Sequence, residues 1–258
     1  MHSTDPIPQY TCEECGQPAK EYHRFCHHCG AFLGVQVNSI NIFNNAELRS
    51  AFFFYLIYLF ICLVVHYTDW FINYDRLFWI EIALAFITIY YAYKNKESIG
   101  PILRFNNFKW GIAALVITVA LSFSIVVNLA VREMNVSLFQ SDTNYFDFYK
   151  IYVAPIPIMI YSIALMPAIF EEIAFRGILF NYLSTFLDDK LVVMVTGFVF
   201  AAMHLSTLSL IWLIPFGILL GIMRNKYSTI WYGVIFHFVF NLTSCLIDLY
   251  QQGELWWQ

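Results

Sequence analysis

The chain has 258 residues, with 14 Lys+Arg against 18 Asp+Glu and a formal net charge of -4. Charged residues make up 12 % and hydrophobic residues 60 %, against about 25 % and about 45–50 % in soluble domains. This excludes an ordinary soluble globule, a disordered chain and a basic nucleic-acid binder, and points to an all-α, polytopic transmembrane helical bundle in the cell membrane with the lipid bilayer as its solvent.

The first 40 residues lack the basic start and apolar core of a secretory signal. Cys12-Glu-Glu-Cys15-Gly16 and Cys26-His-His-Cys29-Gly30 form two CxxC knuckles. Four thiolates on two tight turns can close a tetrahedral zinc site, with no open position for a substrate. Residues 1–34 are therefore expected to be a small zinc ribbon holding a structural Zn2+ through Cys12, Cys15, Cys26 and Cys29. A disulfide pair or a redox CxxC is the weaker alternative, and His23, His27 and His28 are substitute ligands. Such a ribbon is structural or a docking module, which would give it a protein partner. Residues 35–49 read as an Asn-rich linker, containing Asn38, Asn41, Asn44 and Asn45.

From Ser50 to the end, apolar runs alternate with short polar breaks. They are Ala51–Thr68, Leu77–Tyr93, Trp110–Val131, Tyr149–Leu187, Leu191–Leu205, Leu208–Met223 and Thr229–Leu249. Most are near the ~20 residues that a helix needs to cross the bilayer. The fourth is too long for one straight crossing, and Pro155, Pro157 and Pro167 offer breaks. Read as one crossing, with the N-terminus cytoplasmic, it puts Arg49, Lys94, Lys96, Arg104, Lys109, Lys190, Arg224 and Lys226 on the inner side. Only Arg76, Arg132 and Lys150 then lie outside. Two crossings reverse that bias. The positive-inside rule thus predicts seven helices, or eight if a last one follows, with the N-terminus in the cytoplasm. The tail from Gln251 to Gln258 carries two Trp and is expected at an interface. Gly217 and Gly221 form a GxxxG, read as close helix packing. Cys62 and Cys245 read as packing residues.

Charges inside membrane helices cost about 2.5–3.5 kcal/mol each on insertion scales, so each needs a reason. Glu171, Glu172, Arg176, His204, His237 and Asn241 form the costly group; Glu81 and His66 look isolated beside them. Glu172 and Arg176 are i,i+4 and can pair. Glu171 is turned by ~100° from Glu172 and left free for chemistry. His237 and Asn241 share one face. Measured from the cytoplasmic helix ends, Glu171 lies roughly 24 Å deep, His204 roughly 20 Å, Asn241 roughly 18 Å and His237 roughly 12 Å, so three helices bring polar groups to overlapping depths.

Glu171-Glu172-Ile-Ala-Phe-Arg176 matches EExxxR, Phe200-Ala-Ala-Met-His204 matches FxxxH, and His237-Phe-Val-Phe-Asn241 matches HxxxN. In this order on apolar helices they resemble the CPBP intramembrane proteases, which include the type II CAAX prenyl endopeptidases and the Abi proteins. The resemblance covers roughly Tyr149 to Asn241; upstream helices match in character only. It assigns residues 50–258 to a CPBP-like protease domain acting on membrane-associated peptides or proteins. It also implies roles: Glu171 and His204 activate water, His237 and Asn241 hold the oxyanion, Glu172 and Arg176 orient their helix, and Phe200 packs against the site. Whether a catalytic metal takes part stays open. Glu171, His204 and His237 have ligand chemistry, but Asn241 is a better amide donor than metal ligand, which favours a metal-free glutamate mechanism. Two rival functions use the same residues: a non-enzymatic scaffold or bacteriocin-immunity protein, and a proton relay. No inverted repeat supports the last.

Overall fold

The computed structural model describes residues 9–20, 25–33, 43, 45–105, 108–140 and 144–254. They fall into two compact units, Met1–Asn45 and Ala46–Gln258. His23, most of the Asn-rich linker and the last four residues, with both tail Trp, lie outside the described residues.

In the first unit each CxxCG knuckle closes in the same way. The Gly16 amide donates to the Cys12 carbonyl at 2.8 Å and the Gly30 amide to the Cys26 carbonyl at 2.9 Å. Both glycines take positive φ, +70° and +74°, a turn that a side chain would strain. Strand β1 (Gln9–Thr11) enters the first knuckle and pairs antiparallel with β2 (Pro18–Lys20), which leaves it. A bridge between Phe25 and Phe32 closes the second knuckle likewise.

The second unit is helical. Its helices are α1 (Ala46–Tyr67), α2 (Tyr74–Lys94), α3 (Lys96–Leu103) and α4 (Trp110–Phe139), then α5 (Pro155–Leu183), α6 (Asp189–Ala202), α7 (Leu210–Tyr227) and α8 (Trp231–Gln252). By length and composition α1, α2, α4, α5 and α8 can cross a membrane. Large apolar side chains stand exposed on α1 (Phe52, Phe53, Phe60), α2 (Trp79, Phe86) and α4 (Leu115, Val126, Leu129), as surfaces that meet lipid rather than water must.

The long fourth run is one helix of 29 residues, not two crossings. Pro155 and Pro157 occupy its first turn, where a missing amide costs little. Pro167 follows a π-helical stretch at Ile160–Leu165, and a second such stretch covers Glu172–Leu179. Wider turns of this kind free carbonyls for side-chain partners.

The fifth and sixth runs depart from seven full crossings. Helix α6 stops after 14 residues at Ala202, a length of about 21 Å against about 30 Å of hydrocarbon. His204 therefore sits in the turn beyond α6, not within a helix as its apolar neighbours suggest. Leu205 takes a left-handed φ of 53° to reverse the chain. Asp188 starts α6 by accepting the Lys190 and Leu191 amides, each at 3.0 Å, a side-chain N-cap. Helix α7 returns along α6 at very short range. A Cβ on Gly217 would lie 2.7 Å from the Gly197 carbonyl oxygen, and one on Gly221 would lie 3.2 Å from Val193. The GxxxG is thus a packing surface, as expected.

Candidate active site

The site is assembled on α5, the α6–α7 turn and α8. Glu172 and Arg176 are both fully buried, and Arg176 is among the largest side chains that the fold encloses. Arg176 Nη1 donates to Glu172 Oε1 at 2.8 Å. Its Nη2 reaches the Gly217 carbonyl on α7 at 3.1 Å, and its guanidinium lies 4.3 Å from the Phe200 ring centroid. The pair predicted from i,i+4 spacing therefore also ties α5 to α6 and α7. From α7, Arg224 Nε donates back to the Arg176 carbonyl at 3.0 Å.

His237 on α8 closes the network. Its Nδ1 is 3.1 Å from Glu172 Oε1 and its Nε2 is 4.0 Å from Glu171 Oε2. An ionised carboxylate only accepts, so Nδ1 carries the proton and Nε2 faces Glu171. Gly233, one turn before His237, makes room for this: a Cβ there would lie 2.6 Å from Glu172 Oε2. Glu171 Oε2 is itself buried, and among the described residues nothing hydrogen-bonds to it.

Glu171, His204, His237 and Asn241 all line one cavity of about 580 Å³. His204 turns Nδ1 to the Phe200 carbonyl at 3.1 Å, and its ring lies edge-on to Phe200. Asn241 Nδ2 donates to the Ile163 carbonyl at 2.8 Å. The bond ties α8 to the π-helical stretch of α5 just before Pro167.

Other residues of this cavity gave no strong signal in the sequence. Asn128 on α4 donates to Ser244 Oγ on α8 and to the Ser124 carbonyl, both at 2.8 Å. Asn144, Ser206 and Ser209 line the same space. Uncharged polar residues are cheap on apolar helices. The i,i+4 spacing of Ser124 and Asn128 was the available clue.

A second cavity, of about 320 Å³, lies between α1, α2 and α5 and shares Pro167, Glu171, Phe200 and His204 with the first. Glu81 lines it, as does Cys62. Glu81 is not isolated: Ser162 and Tyr74 both donate to it. Cys245, by contrast, is buried packing.

In the first unit, the four cysteine sulfurs lie within 4.8 Å of one another. Cys12–Cys29 and Cys15–Cys26 are separated by 3.8 and 3.5 Å, near the ~3.8 Å edge of a tetrahedron with Zn–S bonds of about 2.3 Å. The Cys29 and His28 amides pull the Cys26 thiol down to about 6, while the Cys15 and Cys29 thiols beside it are raised. This cluster can hold a metal ion. Among the described residues no other group of three His, Cys, Asp or Glu ligand atoms converges as closely.

Residues 153–243 match the family model described as Type II CAAX prenyl endopeptidase Rce1-like. The match covers 91 of the 258 residues. The matched residues contain EExxxR, FxxxH and HxxxN entire, and they run from the first residues before α5 into α8. The segment is similar to an endopeptidase family, and of its helices α5 and α8 are long and apolar enough to cross a membrane. No curated protein and no solved structure matches the chain.

Proposed function

We propose that the chain is an intramembrane endopeptidase that hydrolyses membrane-associated peptides or proteins by a metal-free glutamate mechanism. The observation that carries this is Glu171 Oε2, buried and without a hydrogen-bond partner among the described residues, on a cavity that His204, His237 and Asn241 also line. Glu171 takes a proton from a water that His204 helps to position, and the hydroxide attacks the scissile carbonyl carbon. The carbonyl oxygen becomes an oxyanion and accepts hydrogen bonds from His237 and Asn241. His237 is held through Nδ1 on Glu172, which leaves Nε2 as the atom that faces Glu171. Asn241 keeps one amide hydrogen on Ile163 and has a second to give. Glu171 then delivers its proton to the departing amine.

The donor chemistry of Glu171, His204 and His237 suits a metal, yet their ligand atoms do not gather as the cysteine sulfurs do. We assign zinc to the ribbon, as a structural ion that replaces a core, and place the N-terminus in the cytoplasm on the charge bias of the loops.

The test uses purified protein in proteoliposomes with a membrane-peptide library. Glu171→Gln should lower cleavage by a factor of at least about 100 while the protein still inserts. Chelator-treated protein carrying Cys26→Ser should still cleave; loss of activity there would establish a catalytic metal. Glu171→Ala and His204→Ala variants that both keep a cellular phenotype would favour the scaffold or immunity reading.

A further inference from the structure

The second cavity holds an acid that the hydrolytic mechanism does not use. Glu81 lies on α2, a membrane-crossing helix, and lines this cavity with Tyr58, Cys62 and Leu84 on one side and Met166, Phe170 and Phe175 on the other. Most of that lining is apolar. A carboxylate in such a place is expensive, and an intramembrane ionisable group marks function by default. Ser162 and Tyr74 donate to it, but a carboxylate accepts up to about four hydrogen bonds. Among the described residues no Lys, Arg or His forms an ion pair with it. Arg176, the buried cation nearest in sequence to this wall, is already committed to Glu172, Gly217 and Phe200.

The position of the cavity says what could bring a cation. It shares Glu171 and His204 with the polar cavity, so a peptide whose scissile carbonyl is presented to Glu171 has a neighbouring side chain at its mouth. A side chain that suits it has a long apolar stem for Leu84, Met166 and Phe170, and a charged donor at its end for Glu81. Lysine has that form.

We propose that the Glu81 cavity is a substrate subsite that takes a lysine side chain next to the scissile bond, with Glu81 as its counter-ion. This rests on the endopeptidase reading above and names a substrate feature for it. Specificity follows because an apolar isostere of lysine leaves Glu81 unpaired.

The experiment compares paired peptides that differ only by lysine or norleucine at the residues flanking the cleaved bond, reconstituted with the full-length protein. kcat/KM is measured for wild type, Glu81→Gln and Cys62→Trp. Wild type should prefer lysine by at least about tenfold at one flanking position, the scale of losing one partner of a desolvated charge pair. Glu81→Gln should bring the ratio close to one, mainly through KM. Cys62→Trp, which fills the cavity but leaves the carboxylate, should lower cleavage of both peptides. A wild-type ratio near one, or a ratio unchanged in Glu81→Gln, overturns the subsite and leaves the protease reading standing. Absence of any cleavage that Glu171→Gln abolishes overturns both.

Discussion

At the residue scale, the site depends on groups that do no chemistry. Gly233 is one. A methyl group there would sit 2.6 Å from Glu172 Oε2, and the carboxylate cannot retreat because Arg176 Nη1 and His237 Nδ1 both hold its other oxygen. Gly233→Ala should destabilise the protein by about 1–3 kcal/mol and lower cleavage further than that loss explains, because His237 moves with Glu172. Thermal unfolding in detergent beside kcat separates the two effects. Asn241 gives a second test. Asn241→Ala removes the side-chain donor to the Ile163 carbonyl and should cost about 1 kcal/mol. Asn241→Asp keeps the size of the side chain but removes its amide hydrogens, so it should lose the same stability. An unfolding temperature unchanged in both variants would show that the Asn241–Ile163 bond contributes nothing to stability.

Much of the residue-level site was legible because charge inside an apolar helix is conspicuous. Glu171, Glu172, Arg176, His204, His237 and Asn241 stood out for that reason, and the structure brings Glu171, His204, His237 and Asn241 to one cavity. What escaped was pairing across helices. His237 binds Glu172 as well as approaching Glu171. Glu81 looked isolated because its partners are 81 and 7 residues away. Neither fact has a local signature.

At the scale of elements, the α6–α7 pair decides how the turn carrying His204 is held. Gly197 and Gly217 let the two backbones approach, and the Gly217 carbonyl is also the acceptor for Arg176. Gly197→Leu should force the helices apart, remove that acceptor and inactivate the protein. The measurable signs are a lowered unfolding temperature and loss of cleavage together, with membrane insertion retained. Helix content was readable throughout the apolar runs, but boundaries were not. Met203 and Leu205 continue the hydrophobic pattern past Ala202, so nothing in composition announces that α6 ends there. The π-helical stretches on α5 were equally hidden, since they arise from packing and from Pro167 rather than from periodicity.

At the scale of the whole molecule, the two units rest on different forces. The membrane unit is held by helix packing and buried pairs. The described ribbon buries few large apolar side chains: Phe25 and Phe32 are both exposed although their rings meet edge to face. A metal ion on the four cysteines would supply the folding energy that a core does not. Elemental analysis should find one zinc per chain in the purified protein and none in Cys12→Ser or Cys26→Ser, with the helical signal of residues 46–252 unchanged. The cysteine spacing made this unit the easiest to read. The count of crossings was harder, because a run of apolar residues reports solvent preference and not length along the membrane normal.

The early stop of α6 also bears on what His204 does besides lining a cavity. A helix end inside an apolar bundle must find donors for its last carbonyls. Here the Met203, His204 and Leu205 amides serve Val199, Ala201 and Ala202. The Phe200 carbonyl is served by the His204 ring itself. The imidazole is thus a cap as well as a wall of the cavity, and trading it for alanine uncaps a buried helix end at the same stroke.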